Sequence, residues 1–320
     1  MSTPRSLDLP DVARPVTVHT PRGAFAALQA RPASGVCERK PAILVPGFTG
    51  SKEDFIPVLE PLASAGRIIT AIDMRGQYQS GPAPSGSGYT PDELAADIAA
   101  VAEAVAPDDE GVHLLGHSLG GLIARHAVLG RAAEIASLTL LSSGPGSISG
   151  PRRDALLDIL ALLTGPDSAA DLAGPDTAGL RAWSDRLWEE RGGPQARAEG
   201  LAGHIIDFLR ERHRANSPAG LVVMGNYLLS CPDRTAELAS VKGLPILVMY
   251  GENDDAWPPQ AQDQMGRQLN AQRVCIPGAA HSPAIEAPET TASTLTLFWN
   301  NAEEAGRRRR RGLEADLSGR

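Results

Sequence analysis

The sequence contains little lysine and little cysteine. Only three lysines occur although lysine and arginine together number 30, and we attribute this bias to codon usage rather than to chemistry. The three cysteines, Cys37, Cys231 and Cys275, are far apart in the chain. Their spacing fits neither a metal site nor a disulfide framework, which favours a reducing compartment.

Long apolar runs and a positive net charge are also missing. No stretch reaches the roughly 18 consecutive apolar residues of a membrane-spanning helix. The first ten residues lack the apolar core of a signal peptide. The net charge of −8 gives no general attraction for nucleic acid or for an anionic membrane. We therefore expect a cytoplasmic protein that binds neither.

Short apolar runs alternate with segments of helical periodicity through most of the 320 residues. An alternating first segment, residues 16–28, predicts an antiparallel hairpin at a sheet edge. The predicted strands are 42–46, 67–72, 112–115, 137–142, 244–250 and 272–276. The predicted helices between or after them are 54–65, 91–105, 259–269 and 288–302. This alternation predicts an α/β fold with a mostly parallel sheet flanked by helices.

The alternation stops between two halves of the predicted core. Residues 14–147 and 233–303 form that core, whereas residues 148–232 carry only helical patterns and are interpreted as an inserted cap. The predicted cap helices are 152–163, 178–191, 195–213 and 219–230. Residues 1–13 are expected to be poorly ordered, and residues 304–320 to form a flexible tail. The five consecutive arginines in that tail, 307–311, are interpreted as a solvated extension.

One candidate nucleophile stands out. Ser118 lies in the segment Gly116-His-Ser-Leu-Gly120, which follows a predicted strand and begins a predicted helix. A Gly-x-Ser-x-Gly pattern in this context is typical of a nucleophile elbow, in which a strained turn exposes the serine hydroxyl at the carboxyl edge of a sheet. A serine hydroxyl needs a base to remove its proton, and the base needs an acid to orient it.

The acid and the base are expected later in the chain, in that order. Asp254 follows the predicted strand 244–250 and is favoured over its neighbours Glu252 and Asp255, which remain alternatives. We expect Asp255 to cap the following helix. His281 follows the last strand and has small neighbours.

The other histidines are expected to be structural. His19 lies on the polar phase of the hairpin, and His117 is expected to pack or to hydrogen-bond locally. The remaining four are interpreted as core or surface residues: His113, His126, His204 and His213.

An oxyanion formed at the substrate carbonyl would need two N–H donors. The backbone of Leu119, directly after the nucleophile, is one candidate. The second is the backbone of Phe48, because Gly47 lets the chain bend toward a ligand. Thr49 is the less favoured neighbour.

Together these motifs resemble the α/β-hydrolase superfamily, in the serine-nucleophile branch with a helical cap that includes esterases and lipases. The matching segments span residues 42 to about 300 outside the cap: 46–48, 73–80, 116–121, 251–254 and 278–281. Two departures are Pro46, where histidine is usual in the oxyanion motif, and Tyr78, where the loop after the second parallel strand usually has glycine. The first leaves the backbone donor in place, and the second puts a bulky side chain near the expected mouth of the site.

The resemblance implies a serine hydrolase that cleaves a carboxylic ester or lactone of a small, mostly apolar substrate through an acyl-enzyme. A cofactor-free lyase, cyclase or carbon–carbon hydrolase, and a silent ligand-binding protein, stay open as alternatives. Neither a cofactor nor a metal is expected, the expected partner is a small molecule, and a homodimer is left open. Tyr78, Trp183 and Trp257 are the predicted substrate contacts. Further apolar candidates in the cap are Leu156, Leu157, Ile159, Leu160, Leu187, Trp188, Phe208, Met224 and Tyr227.

Overall fold

A single mixed sheet organises the chain in the computed structural model, which describes residues 2–83, 88–106, 111–130, 134–164 and 185–318. Within these residues eight strands pair in the order β1-β2-β4-β3-β5-β6-β7-β8. Their bounds are β1 Ala13–Thr20, β2 Gly23–Ala30, β3 Ala42–Val45, β4 Ile69–Ile72, β5 Val112–His117, β6 Ile135–Leu141, β7 Ile246–Gly251 and β8 Gln272–Ile276. The predicted α/β fold class is therefore confirmed.

The strands from β3 to β8 are parallel to one another, and β2 is the one strand of the eight that runs opposite to its neighbours. β1 pairs with β2 antiparallel, and β2 pairs antiparallel with β4. β3 pairs parallel with both β4 and β5. Because parallel strands end at the same edge of a sheet, the loops after β3, β5, β7 and β8 meet at one edge.

Both faces of the sheet are covered, and this explains the unbroken apolar runs. In β3, Ile43 and Val45 belong to one buried cluster, whereas Ala42 and Leu44 belong to the other. All four side chains are fully buried. Period-two alternation thus separates the two halves of the core even where every residue is apolar.

Helices cover the two faces. The helices up to β6 are α1 Ile56–Ser64, α2 Pro91–Val105 and α3 Leu119–Leu129, with a 3₁₀ turn at Lys52–Phe55 before α1. Between β6 and β7 lie α4 Gly150–Leu163, a π-helical turn Trp188–Gly192, α5 Gly193–Ala198, α6 Gly203–Ala215, α7 Pro218–Ser230 and α8 Thr235–Ala239. After β7 come α9 Pro259–Gln268, α10 Pro283–Glu286 and α11 Pro288–Ser318.

The helix predicted at 195–213 is two helices in the structure. Gly200 has a φ of +69°, and the N–H of Leu201 reaches back to the carbonyl of Ala196 at 3.2 Å. This is a Schellman-type end, which glycine favours because it lacks a Cβ. Half of the helix predicted at 178–191 lies outside the described residues. The division of the chain into core and cap stays a prediction.

The two ends of the chain differ from what the sequence predicts. Ser2, in the segment expected to be poorly ordered, is buried, and its carbonyl accepts a hydrogen bond from Arg212 at 2.6 Å. The last helix was predicted to end near residue 302, but α11 continues to Ser318. The continuation passes through Gly306 and Gly312, and the five arginines between them favour the helix because arginine is a good helix former.

No helix in the described part of the chain is both long enough and apolar enough to cross a membrane.

Candidate active site

Ser118 lies in a strained turn between β5 and α3. Its φ is 55° and its ψ is −120°, a conformation that L-amino acids with a side chain rarely adopt. A Cβ added to Gly116 would lie 2.3 Å from the carbonyl oxygen of Gly120, and one added to Gly120 would lie 2.4 Å from that of Pro46. Both positions therefore require glycine, and the sequence pattern follows from the tightness of the turn.

The structure brings Ser118, His281 and Asp254 together at the carboxyl edge of the sheet. Ser118 Oγ lies 3.0 Å from His281 Nε2, and His281 Nδ1 lies 2.9 Å from Asp254 Oδ1. An ionised carboxylate can only accept a hydrogen bond. Nδ1 of His281 therefore carries the hydrogen and donates the hydrogen bond to Asp254. Nε2 is then left to accept the hydroxyl proton of Ser118. All three residues are buried.

Asp254 is held by three donors. Oδ1 also accepts the N–H of Ala256 at 2.9 Å, and Oδ2 accepts the side-chain amide of Gln262 at 2.9 Å. Burial alone would raise the pKa of Asp254, but the hydrogen bond and charge of His281, together with these two donors, outweigh it and lower the pKa. The carboxylate therefore stays ionised beside the imidazole.

Neither alternative acid is hydrogen-bonded to His281. Glu252 is exposed and accepts the N–H of Gly278 at 2.9 Å. Asp255 is also exposed and pairs with Arg152 at 2.7 Å. The prediction that Asp255 caps the next helix is wrong, because the cap position of α9 is Pro258 and its side chain makes no capping bond.

The loop after β3 approaches the nucleophile closely. A Cβ added to Gly47 would lie 3.0 Å from the Cβ of Ser118, so only glycine fits without displacement. The carbonyl of Gly47 accepts the side-chain amide of Gln77 at 2.8 Å, which fixes the bend just before Phe48. Phe48 and Ser118 line the same cavity. Leu119, directly after Ser118, is the first residue of α3.

A cavity of about 470 Å³ opens on Ser118, His281 and Phe48. Much of its wall is apolar and comes from the segment between β6 and β7: Ile148, Leu156, Ile159, Leu187, Trp188, Leu221 and Leu228. Two arginines also line it. Arg152 pairs with Asp255, as described above, and Arg191 pairs with Asp158 at 3.3 Å.

Two of the three predicted substrate contacts lie away from this cavity, among the residues that the structure describes. Tyr78 packs edge-on against Phe208 at 5.6 Å and under the ammonium of Lys52. Its φ is 35°, in the left-handed region that favours the glycine usual at this position. Trp257 is buried and donates to the carbonyl of Gly146 at 2.9 Å. Trp183 lies outside the described residues.

Sequence reasoning missed the contact made by His117. Its Nε2 lies 2.7 Å from the carbonyl oxygen of His281, 164 residues later in the chain. We expected His117 to pack or to hydrogen-bond locally. The hydrogen bond instead joins the end of β5 to the loop that carries His281. The only sequence signal was the position of His117 directly before Ser118.

Among the described residues, one group of acids and imidazoles is close enough to hold a metal ion. Asp254, Asp255 and His281 each offer one ligand atom, and these three atoms lie within 4.8 Å of one another. Asp254 and His281 already use these atoms for the hydrogen bond between them. The expectation that no metal is bound stays a prediction.

Comparisons with known proteins agree with this geometry. The chain is 34% identical over 128 residues to the putative carbamate hydrolase RutD of Variovorax paradoxus, a match that covers 39% of this chain and only 47% of that protein. It is 26% identical over 263 residues to a pimeloyl-[acyl-carrier protein] methyl ester esterase of Neisseria meningitidis, covering 81% and 93% of the two chains. Its fold is similar to that of a thermophilic esterase from Thermogutta terrifontis, with a TM-score of 0.67, 20% identity, and coverage of 90% and 99% of the two chains.

A family model described as the alpha/beta hydrolase family matches residues 42–294, from β3 into α11. This range contains the strained serine, the imidazole and the carboxylate that the sheet edge brings together. The chain therefore belongs to the alpha/beta hydrolase family.

Proposed function

We propose that this enzyme is a serine hydrolase that cleaves a carboxylic ester or lactone of a small, mostly apolar substrate through an acyl-enzyme. The single observation that carries the proposal is the continuous line of hydrogen bonds from Ser118 Oγ through His281 to Asp254, with contacts of 3.0 Å and 2.9 Å. A nucleophile, a base and an acid that orients the base are what acyl transfer requires.

The chemistry follows from the proton positions. His281 Nε2 takes the proton of Ser118 as Oγ attacks the ester carbonyl, and Asp254 stabilises the resulting imidazolium. The same proton then passes to the leaving alcohol oxygen as the carbon–oxygen bond breaks. Water repeats the sequence on the acyl-enzyme, releases the acid and restores the hydroxyl of Ser118.

The charge that develops on the carbonyl oxygen would be stabilised by the backbone N–H groups of Phe48 and Leu119. The close approach of Gly47 to Ser118 supports this assignment for Phe48. Leu119 is the first residue of α3, and the N-terminus of a helix presents unpaired N–H groups and a positive dipole end. Each such donor typically contributes a few kcal/mol to the stabilisation of the transition state.

The cavity supports the substrate class. About 470 Å³ suits a small molecule, and its apolar wall suits an uncharged acyl or alcohol group. We infer that the helices between β6 and β7, which supply most of this wall, act as the predicted cap. The names of the two sequence relatives, a carbamate hydrolase and a methyl ester esterase, both describe hydrolysis at a carboxyl-derived carbon.

A chain-length series tests the proposal. We expect p-nitrophenyl acetate, butyrate and hexanoate to be hydrolysed, with kcat/KM falling once the acyl group outgrows the cavity. Ser118→Ala should lower kcat by about 10⁴-fold or more, because no other group replaces the nucleophile. A fluorescent phosphonate should label wild type and not this variant. Ser143→Ala, a buried serine after β6, is the matched control and should keep both properties.

Other outcomes identify the alternatives. Phosphonate labelling without release of acid from any ester would favour a lyase, a cyclase or a carbon–carbon hydrolase. Ligand binding that is the same in wild type and Ser118→Ala, with no labelling of either, would favour a silent binding protein.

A further inference from the structure

His117 is a buried histidine that the proposed reaction does not use. Its side chain is only 4% exposed, although it lies next to the nucleophile. Burial first, and then the nearby His281, lower the pKa of His117 to about 3. The ring is therefore neutral at any pH at which the enzyme would work, and it carries one N–H.

The position of that hydrogen follows from the acceptor. Nε2 of His117 lies 2.7 Å from the carbonyl oxygen of His281, and a carbonyl can only accept. The hydrogen is therefore on Nε2. The unprotonated Nδ1 lies beside the loop after β3, where a Cβ added to Gly47 would be 3.3 Å from it. The imidazole of His117 thus fills the space between the loop that carries His281 and the loop after β3.

The loop that carries His281 is held from a second side by one carboxylate. The two oxygens of Glu286 accept the N–H of Ala280 at 2.5 Å and that of Ser282 at 3.2 Å. Together with the bond from His117, these contacts hold three consecutive residues whose backbone is neither strand nor helix. The side chain that must reach Ser118 Oγ is therefore attached to a loop with little freedom to move.

We propose that His117 is a positioning residue: its Nε2–H bond to the carbonyl of His281 fixes the base relative to the nucleophile, since residues 117 and 118 are consecutive. This inference rests on the proposed function. A neutral donor suits the task, because the rings of His117 and His281 are 5.0 Å apart and a second cation would oppose the imidazolium formed during attack.

Two substitutions separate positioning from packing. His117→Leu fills the space of the imidazole but has no hydrogen-bond donor. His117→Gln places an amide N–H near the position of Nε2. We expect His117→Leu to lower kcat for p-nitrophenyl butyrate by about 10- to 100-fold with little change in KM, as for loss of one buried hydrogen bond that sets the reacting geometry. His117→Gln should recover kcat to within a few-fold of wild type. The thermal midpoint of each variant is measured alongside.

The inference is overturned if His117→Leu folds and keeps the wild-type kcat, or if His117→Gln is no better than His117→Leu at equal stability. If His117→Leu does not fold, Glu286→Ala decides, because Glu286 is exposed and holds the same loop. It should lower kcat, whereas the exposed control Glu289→Ala should not, and an unchanged kcat in Glu286→Ala would overturn the inference. Failure of the proposed function is distinct, because wild type itself would then release no acid from any ester.

Discussion

At the scale of single residues, the site depends on backbone strain and on fixed protonation states. Ser118 keeps a φ of 55° because the residues around it leave the chain no relaxed path between β5 and α3. The hydrogen bond from His281 and its other two donors keep Asp254 ionised despite burial. Asp254 is therefore held as the carboxylate that hydrogen-bonds His281.

Asp254→Asn is the sharpest single-residue test of the relay. An amide at this position can present its NH₂ group to Nδ1, which favours the tautomer with the proton on Nε2, where it cannot accept from Ser118. We expect kcat for p-nitrophenyl butyrate to fall by about 10³- to 10⁴-fold, with a thermal midpoint close to that of wild type.

Asp255→Asn is the matched control, since the exposed Asp255 has Arg152 as its ion-pair partner. It should keep most of the activity. A loss of this size in Asp255→Asn or Glu252→Gln, with Asp254→Asn unaffected, would show that the acid has been misassigned.

At the scale of elements, α11 is tied to the sheet by a buried carboxylate. Glu303 accepts from Arg67 at 2.9 Å and lies 3.1 Å from Nε2 of His113, while Trp299 of the same helix stacks on His113 at 5.4 Å. Burial opposes ionisation of Glu303, but its contacts with His113 and Arg67 lower its pKa to about 2. An ionised acid on α11 therefore satisfies a buried guanidinium that packs under the sheet.

Glu303→Ala should destabilise the protein strongly without a direct effect on the site. It leaves the guanidinium of Arg67 buried with no ionic partner, and removal of one member of a buried pair typically costs about 3–5 kcal/mol. Urea unfolding at pH 7 measures the loss. Glu304→Ala, which removes an exposed neighbouring side chain, should lower the free energy of unfolding by less than about 0.5 kcal/mol. Equal stability of the two variants would mean that this contact does not anchor the helix.

At the scale of the whole molecule, buried charges connect parts of the chain that are distant in sequence. Arg212 of α6 bonds Asp54 at 2.7 Å and the carbonyl of Ser2 at 2.6 Å, and all three residues are buried. These bonds tie the N-terminal segment and α6 to the 3₁₀ turn before α1.

Acid should weaken the whole fold through two buried histidines. The folded pKa values of His113 and His117 are lowered by burial from 6.5 to about 4 and about 3. Between those values and 6.5 the unfolded chain binds protons that the folded chain does not, so the free energy of unfolding falls as the pH falls. Each histidine contributes up to about 1.4 kcal/mol per pH unit in that window.

Urea unfolding at several pH values between 7 and 4.5 measures this slope. His113→Asn should make the slope shallower, whatever its effect on stability at pH 7. His19→Asn, on the exposed face of the hairpin, is the control and should leave the slope as in wild type. The same slope in wild type and His113→Asn would contradict the assignment.

Much of the fold could be predicted because the apolar runs are short and the helices have clear ends. The strand 272–276 and the helix 91–105 were predicted to the residue. The break at Gly200 was missed because a single glycine inside an apolar periodicity does not reveal its φ. The short helices α8 and α10 were missed because helices of four or five residues carry too little periodicity.

Part of the candidate site could likewise be predicted from the sequence, and part could not. Ser118, Asp254 and His281 could be predicted because each follows a strand of the parallel sheet, and parallel strands end at one edge. The contacts of Tyr78 and Trp257 could not, because both depend on how side chains from other segments pack against them. His117 was expected to pack or to hydrogen-bond locally, and its bond to the carbonyl of His281 also depends on how distant segments pack.

Sequence alone determined the alternating architecture and the glycine-lined turn at Ser118, since both follow from local periodicity and sterics. Tertiary structure decided which acid meets His281, which side chains form the cavity wall, and which carbonyl His117 bonds. Those choices depend on distances between residues far apart in the chain, and such distances exist only after the sheet has assembled and both of its faces are covered.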